Sequence, residues 1–239
     1  MQQTAGEQRS GRKSIAVVMP ILNEAATLPD LLPHLAGMDA EEVLLVDGGS
    51  SDDSRSMLDA AGVCWIAAPA GRASQMNAGA ANTSSEILLF LHADTRLPAG
   101  GLDAVRVAMG GALVAGGRFD VRLSGDRSMF RLLEFMINMR SRLTKISTGD
   151  QAMFVRRDTF ERLGGFPDQP LMEDVEFSKR LKRLGGIACL RQRVTSSSRR
   201  WEEYGPWRTV LLMWRLRLRY WLGASAADLK LLYSDRKQP

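Results

Sequence analysis

Histidine and cysteine are scarce in this chain of 239 residues, with two of each. His34 and His92 cannot build a site that needs several imidazoles. Cys64 and Cys189 form no CxxC pair, which argues against a disulfide scaffold and a cysteine-rich zinc site and fits a reducing compartment. Long apolar runs are missing too. No stretch reaches the ~18 uninterrupted apolar residues of a membrane-crossing helix. The first 13 residues, MQQTAGEQRSGRK, are polar, contain no signal-peptide core and are expected to form a disordered tail. Several class motifs are absent as well. There is no GxxxxGK[ST] of a P-loop nucleotidase and no GxGxxG after the first strand for a dinucleotide. Nor is there a GxSxG elbow or a GxGTR-type loop of a sugar-nucleotide pyrophosphorylase.

What remains is ordinary for a soluble globular protein. Apolar residues make up 45%, charged residues 25%, and the net charge is +5, which excludes a disordered, collagen-like or coiled-coil chain. The length suits one large domain, or one domain with an appendage. The excess positive charge collects late in the sequence.

Residues 14–20 (SIAVVMP), 42–46 (EVLLV), 63–67 and 87–91 (ILLFL) are short, nearly continuous apolar runs. Helix-compatible stretches at 23–35, 55–61 and 72–81 separate them. Strands that are apolar on both sides belong to a parallel sheet covered on both faces. The expected fold is therefore α/β, a doubly wound, mainly parallel sheet flanked by helices. Such sheets bind ligands beyond the carboxyl ends of their strands. Polar clusters recur at those ends, at 20–24, 47–53 and 92–94. The second half is less regular. It reads as one or two strands over 112–123, a helix over 129–143, a strand over 151–155 and helices over 157–163 and 172–184. A last strand at 187–190, a polar loop at 195–200 and a basic, tryptophan-rich helix over 206–223 follow.

Each polar cluster has a chemical and a plainer reading. Asp47, followed by Gly48-Gly49-Ser50-Ser51, could accept hydrogen bonds from a nucleobase or ribose, or could simply shape a βα turn. His92 and Asp94 point the same way from an extended chain and could ligate a divalent cation that bridges nucleotide phosphates. They could equally be a packed imidazole and a helix cap. Glu173-Asp174 opens a helix, where carboxylates gain from the dipole, or supplies a general base. Arg72, with Gln75 and Asn77, could contact phosphates or begin a solvated helix. Arg199-Arg200-Trp201 could hold a departing diphosphate or form a surface loop around one buried aromatic. In the last helix Trp207, Val210, Leu211, Trp214, Leu218 and Trp221 share one stripe. Arg208, Arg215 and Arg219 lie on a second face and Arg217 on yet another. The tryptophan stripe either docks on the domain, the reading preferred here, or lies on an anionic membrane. The arginines argue against a spanning helix.

Taken together, VVMPILNEAATL (17–28), LLVDGGSSDDS (44–54), GRASQMNAGA (71–80), EILLFLHADT (86–95) and the segment 147–181 resemble the family 2 glycosyltransferases of the GT-A fold. The resemblance spans about residues 14–190. It implies an enzyme, a glycosyltransferase of the hexosyltransferase kind. The donor would be a UDP-, GDP- or dTDP-linked sugar and the acceptor a hydroxyl, with no nucleic-acid partner. Pro20, Asn23, Glu24, Asp47, Arg72 and Ala93 would form the nucleotide pocket, and Arg199 and Arg200 would face the diphosphate. Asp94 matches the last Asp of the DxD motif and would bind Mn²⁺ or Mg²⁺. His92 stands at the first Asp, a change that favours Mn²⁺. Asp174, beside Glu173, would be the catalytic base, and Gly149, Asp150, Gln151 and Trp201 would form the acceptor side. The His92-Ala93-Asp94 variant is also similar to a bacterial subgroup sometimes linked to arsenosugar synthesis. Ser197 stands where the QxxRW motif of processive synthases has Gln, which argues against a polymer-extruding enzyme.

These roles imply direct, metal-assisted displacement with inversion and no covalent intermediate. They also imply a nucleotide-binding half over about 14–95, an acceptor half over about 96–200 and a C-terminal helical extension over 201–239. A cytoplasmic location follows, with peripheral contact at the inner face of the membrane through 206–223 left open. Two rival readings remain: a non-catalytic nucleotide-sugar binding module, and a membrane-associated protein anchored by the last helix.

Overall fold

Strand β1 (Ile15–Ile21) is buried on both faces along almost its whole length, as a central parallel strand must be. The structure, a computed structural model, describes residues 12–234. After β1 come α1 (Leu28–Ala36), β2 (Glu42–Asp47), α2 (Ser54–Ala61), β3 (Trp65–Ala67), α3 (Arg72–Ala81) and β4 (Ile87–Phe90). β1 pairs in parallel with β2 and β4, and β2 with β3. The chain continues through β5 (Thr95–Arg96), α4 (Gly101–Ala108), β6 (Val114–Leu123), α5 (Ser128–Thr144), a 3₁₀ turn (Gly149–Gln151), β7 (Met153–Arg156), α6 (Arg157–Arg162), α7 (Glu173–Leu181) and β8 (Gly186–Ser196). Three helices close the described chain: α8 (Arg199–Tyr204), α9 (Pro206–Trp221) and α10 (Ala226–Ser234).

All strands join one eight-stranded sheet in the order β3-β2-β1-β4-β7-β6-β8-β5. β7 runs antiparallel to β4 and β6, β5 runs antiparallel to β8, and β6 and β8 are parallel. Alternation along β1 sends Val17 and Met19 into one apolar cluster with Leu28, Leu31, Leu89 and Phe154. Ala16 and Val18 enter the cluster on the other face with Met76, Phe90, Phe166 and Phe177. That is the two-residue period of a strand buried on both sides. Helix α3 lies close to the sheet because residue 79 is glycine; a Cβ there would overlap Val18.

The expected fold class holds, with local corrections. The helix expected over 23–35 begins only at Leu28. Asn23 has a positive φ of 55°, and residues 24–27 form a turn. The strand expected at 187–190 runs to Ser196, because β8 is hydrogen-bonded to β6 on one side and to β5 on the other. The polar loop at 195–200 is thus the end of that strand and the start of α8. Arg12 and Lys13, counted with the tail, are anchored: Arg12 pairs with Asp39 at 2.5 Å, and Lys13 donates to the Met109 carbonyl at 2.8 Å. Residues 1–11 of the expected tail lie outside the described residues.

Candidate active site

The tips of β1 and β2 are tied to each other. Asn23 Oδ1 accepts from the Ser51 amide (2.9 Å), its own amide donates to Ser50 Oγ (2.9 Å), and the Glu24 amide donates to Ser54 Oγ (2.9 Å). Asp47 has no exposed surface. Its carboxylate accepts from the Gly49 amide at 3.0 Å, the Ser50 amide at 3.1 Å, Arg55 Nε at 2.6 Å and the Ser50 hydroxyl. Burial would raise its pKa, but these donors outweigh burial and hold it below the usual carboxylate range. Gln75 Nε2 donates to the carbonyls of Ile21 and Val46, both at 2.7 Å, so it locks α3 onto the two tips. Asn77 is likewise structural, holding the backbone of Phe166.

The tip of β4 opens into a cleft of about 580 Å³. Arg72, His92, Asp94, Gly149, Asp150, Glu173, Asp174, Arg199 and Trp201 line it. Pro20, Asn23, Glu24, Asp47, Ala93 and Gln151 do not. Ala93 belongs to the apolar core, and Gln151 is fully buried and caps its own 3₁₀ turn with Thr148. The side chain of Arg200 lies outside the described residues.

Two contacts join the β4 tip to the second half of the chain. The Cε1–Nε2 edge of His92 faces Gly149, where any Cβ would overlap the ring, so this turn needs glycine. The Gly149 amide then donates to Asp174 Oδ2 at 2.8 Å, while the Val175 amide reaches Oδ1 at 2.7 Å. Met172, which caps α7, adopts a left-handed φ of 66°, a costly conformation for a non-glycine residue that recurs at functional sites.

The cleft is electrostatically crowded. Glu173 is buried, and burial followed by the neighbouring Asp174 charge pushes its pKa up to about 7, against the pull of Arg72. Arg72 Nη1 lies 3.9 Å from Glu173. Burial would lower the Arg72 pKa, yet Glu173, Asp150 and Asp174 raise it on balance. Burial and Arg72 lower the His92 pKa in spite of Asp150, Asp94 and Asp174, which favours a neutral imidazole.

Asp94 suits a divalent cation. One of its oxygens accepts from Thr95 Oγ1 at 3.2 Å, and the other accepts from none of the described residues. Among the described residues no three His, Cys, Asp or Glu side chains converge as a cage. A single carboxylate therefore suits a cation that takes its other ligands from a bound diphosphate and water, the arrangement Mg²⁺ commonly takes. With its Nε2 edge turned to Gly149, His92 leaves Asp94 as the donor with an open oxygen.

The sequence reading missed Arg140, Arg217, Tyr233 and the apolar wall of Leu133, Met136, Met213 and Trp214, all of which line the cleft. One signal was available: Arg217 falls off the face shared by Arg208, Arg215 and Arg219. The preferred docking of the tryptophan stripe is also corrected. α9 packs through Val210 on Leu123, Phe130 and Leu133, and through Met213, Leu216 and Tyr220 on Met172, Val175 and Leu229. Trp207, Leu211, Trp214, Leu218 and Trp221 are each more than half exposed. Of the expected stripe only Val210 docks, and the rest of the docked face is Met213, Leu216 and Tyr220.

Residues 16–164 match the model of glycosyl transferase family 2. Among curated proteins, the undecaprenyl-phosphate 4-deoxy-4-formamido-L-arabinose transferase of Serratia proteamaculans (strain 568) is 35% identical over 160 residues, covering 60% of this chain and 48% of that protein. The protein of the same name from Yersinia pestis (strain Pestoides F) is 32% identical with the same coverage. The chain thus spans about half the length of the curated relatives it matches. Among solved structures, S. aureus TarS 1–349 superposes with a TM-score of 0.61 at 18% identity, covering 77% of this chain and 60% of that one. Glucosyl-3-phosphoglycerate synthase from Mycobacterium tuberculosis, in complex with Mn²⁺, UDP and glucosyl-3-phosphoglycerate, gives 0.58 at 20% identity, covering 81% and 75%. At such identities the structures speak for the fold alone. The family match takes in the parallel strands, their polar tips and the turn that meets His92, which is more than half of the sequence; the chain belongs to the family 2 glycosyltransferases and has their GT-A fold.

Proposed function

We propose that the chain moves a sugar from a nucleotide-diphosphate sugar to an acceptor hydroxyl in one inverting displacement, with Asp174 as the base. The observation that carries this reading is the convergence of Asp94, Asp150, Asp174 and Arg72 in one cleft, with Asp174 held by the Gly149 amide. The acceptor oxygen bonds to the anomeric carbon, the bond from that carbon to the diphosphate breaks with its electron pair going to the phosphate oxygen, and the acceptor proton passes to Asp174. Arg72 and Arg199 carry positive charge to the side where the diphosphate departs. A Mn²⁺ or Mg²⁺ ion at Asp94 would neutralise that developing charge. Asp47, with its oxygens already engaged, acts by holding the 48–51 turn in shape rather than by accepting from a base. Asn23 supports the same turn through Ser50 and Ser51, and the Glu24 amide bonds Ser54 just beyond it.

On this reading residues 14–95 carry the donor and 96–200 the acceptor, on one continuous sheet, and the segment from 201 forms a helical extension. The solved neighbours include complexes with UDP and UDP-GlcNAc, which makes a UDP-sugar the first donor to try. No helix among the described residues is long and apolar enough to cross a membrane. The exposed stripes of α5 (Leu132, Phe135, Met139, Leu143) and α9 (Trp207, Trp214, Trp221), with arginines alongside, instead support peripheral contact with a lipid surface. The relatives named for undecaprenyl phosphate support a lipid-borne acceptor in the same way.

The test is release of nucleoside diphosphate from UDP-, GDP- and dTDP-sugars in the presence of Mn²⁺. One donor is expected to turn over, and Asp174→Asn is expected to stop transfer while still binding the nucleotide. Binding of every donor with no turnover under any condition would replace the enzyme by a binding module.

A further inference from the structure

We propose that Arg140 of α5 and Arg217 of α9 form an anion subsite on the acceptor side of the cleft, and that the acceptor is an amphiphile whose phosphate-bearing head sits there while its apolar chain leaves between the two helices. The proposal rests on the transferase reading of the same cleft.

Arg140 Nη1 donates to the Ile146 carbonyl at 3.3 Å. Its Nε and Nη2 are buried and meet no partner. Buried donors are nearly always satisfied, so two open ones on a cleft-lining cation mark a place where a ligand supplies the acceptors. Arg217 lines the same cleft, and its guanidinium forms no hydrogen bond or ion pair with another described residue. Arg217 is near enough to disfavour the charge of Arg140: burial, then Arg217, brings the Arg140 pKa down to about 10. Two planar cations converging in a partly apolar site suit an oxyanion, and phosphate in particular.

The charges that act on this pair place it within the cleft. Asp174 and Asp150 act on both arginines, and Arg118 acts on Arg140. The pair therefore lies near the base and the acceptor turn. Beside it Met136, Met213 and Trp214 form an apolar wall. That wall runs out to solvent through Phe135, 61% exposed, and Trp214, 55% exposed. A ligand that fills this course has a negative head and an apolar tail.

The experiment measures binding of octyl phosphate, octanol, inorganic phosphate and UDP with Mn²⁺ to the full chain by calorimetry. The variants are Arg140→Gln and Arg217→Met, with Arg140→Lys and Arg217→Lys retaining the charge. Octyl phosphate is expected to bind, and each neutral variant to weaken it by roughly tenfold or more. The lysine variants should recover part of the loss, which separates charge from misfolding. Octanol and inorganic phosphate should each bind at least about tenfold more weakly than octyl phosphate. UDP affinity should stay within about twofold in all four variants. Unchanged octyl phosphate binding in both neutral variants would overturn the proposal. So would a parallel loss of UDP binding, which would give the pair to the donor diphosphate. Inorganic phosphate binding as tightly as octyl phosphate would overturn the apolar half. If the unaltered chain binds none of UDP, GDP and dTDP with Mn²⁺, the transferase reading fails while the octyl phosphate arm still decides on the subsite.

Discussion

The tips of β1 and β2 and the wall made by α5 and α9 are both rich in polar groups, and they treat them in opposite ways. At the tips the central polar groups are used internally. Asp47 takes four donors, Asn23 and Ser51 bind each other, and Gln75 spans two carbonyls. On the α5–α9 side Arg140 keeps two buried donors open and the Arg217 guanidinium has no hydrogen-bond partner among the described residues, and at the start of α7 Glu173 is a buried carboxylate beside another carboxylate. A satisfied cluster lowers the energy of the fold, whereas an unsatisfied one raises it and is retained for what it binds or does. The first region is scaffold, and the second is where ligand chemistry is to be sought. Asp94 and Asp174 stand between them, each partly exposed and only partly engaged.

The sharpest way to break this contrast is at the base. Asp174→Asn keeps the shape and one acceptor oxygen but loses the proton acceptor. Transfer is expected to fall by about 10²–10⁴-fold, with nucleotide affinity unchanged in calorimetry. Activity equal to that of the unaltered protein would remove Asp174 from the chemistry. Chelation comes next: EDTA is expected to abolish sugar transfer and Mn²⁺ to restore it, and Asp94→Asn should raise the Mn²⁺ concentration needed. Full transfer in chelator would leave Asp94 without a metal role. Asp47→Asn should act on the other side of the comparison. A buried carboxylate with four donors becomes an amide that cannot accept from all of them, and the fold should lose about 2–4 kcal/mol in urea unfolding. A stability change close to zero would mean that the tips are not self-contained.

Much of this contrast was open to sequence reading, and the part that was not has definite causes. β1, β2 and β4 are legible because both faces are buried, which writes them as unbroken apolar runs. Most of β8 is not, because Arg191, Gln192 and Arg193 are exposed and read as a loop; only pairing with β5 and β6 makes them a strand. β5 has two residues, too few for any periodicity to register. Asp94 and Asp174 could be picked out as strand-tip or helix-start carboxylates, Asp150 only through the family resemblance, and the fold gathers them in one cleft. Asp47 was picked out on the same grounds, but its direction is set by Ser50 and Arg55 nearby, an Asx-type turn that the sequence pattern permits and does not require. Arg140 and Arg217 come from helices far apart in the chain, and no local spacing could pair them. For α9 the bulky tryptophans drew the docking expectation, whereas the face actually buried carries Val210, Met213, Leu216 and Tyr220.

The two regions should also answer pH with opposite sign. The Asp47 pKa is depressed from 3.8 in the folded state, so its stabilisation is present above that value and fades as pH falls through the folded pKa. Glu173 is the reverse, with a pKa near 7 against an ordinary value of 4.5. Between these values the folded chain holds a proton that the unfolded chain has released, so stability should decline as pH rises from about 4.5 to 7 and level off above, by roughly 1–3 kcal/mol. Glu173→Gln should flatten that decline and leave the acid limb set by Asp47 in place. Unfolding midpoints in urea from pH 4 to 8 would show it, and a decline that survives in Glu173→Gln would place its origin elsewhere.

The smallest effect on the fold is expected where the exposed surface is largest. Replacing Trp207, Trp214 and Trp221 by serine removes aromatic surface that is more than half solvent-exposed. The docked stripe through Val210 and Leu216 is untouched, so each substitution should change stability by no more than about 0.5 kcal/mol. Co-flotation with vesicles containing phosphatidylglycerol should nonetheless drop, because interfacial tryptophans beside Arg208, Arg215 and Arg219 supply both the apolar and the electrostatic part of such binding. A loss of fold stability without a loss of flotation would reverse the assignment of the two stripes. The tryptophans would then belong to the packing of α9, and the boundary between scaffold and ligand surface would have to be drawn along the other side of that helix.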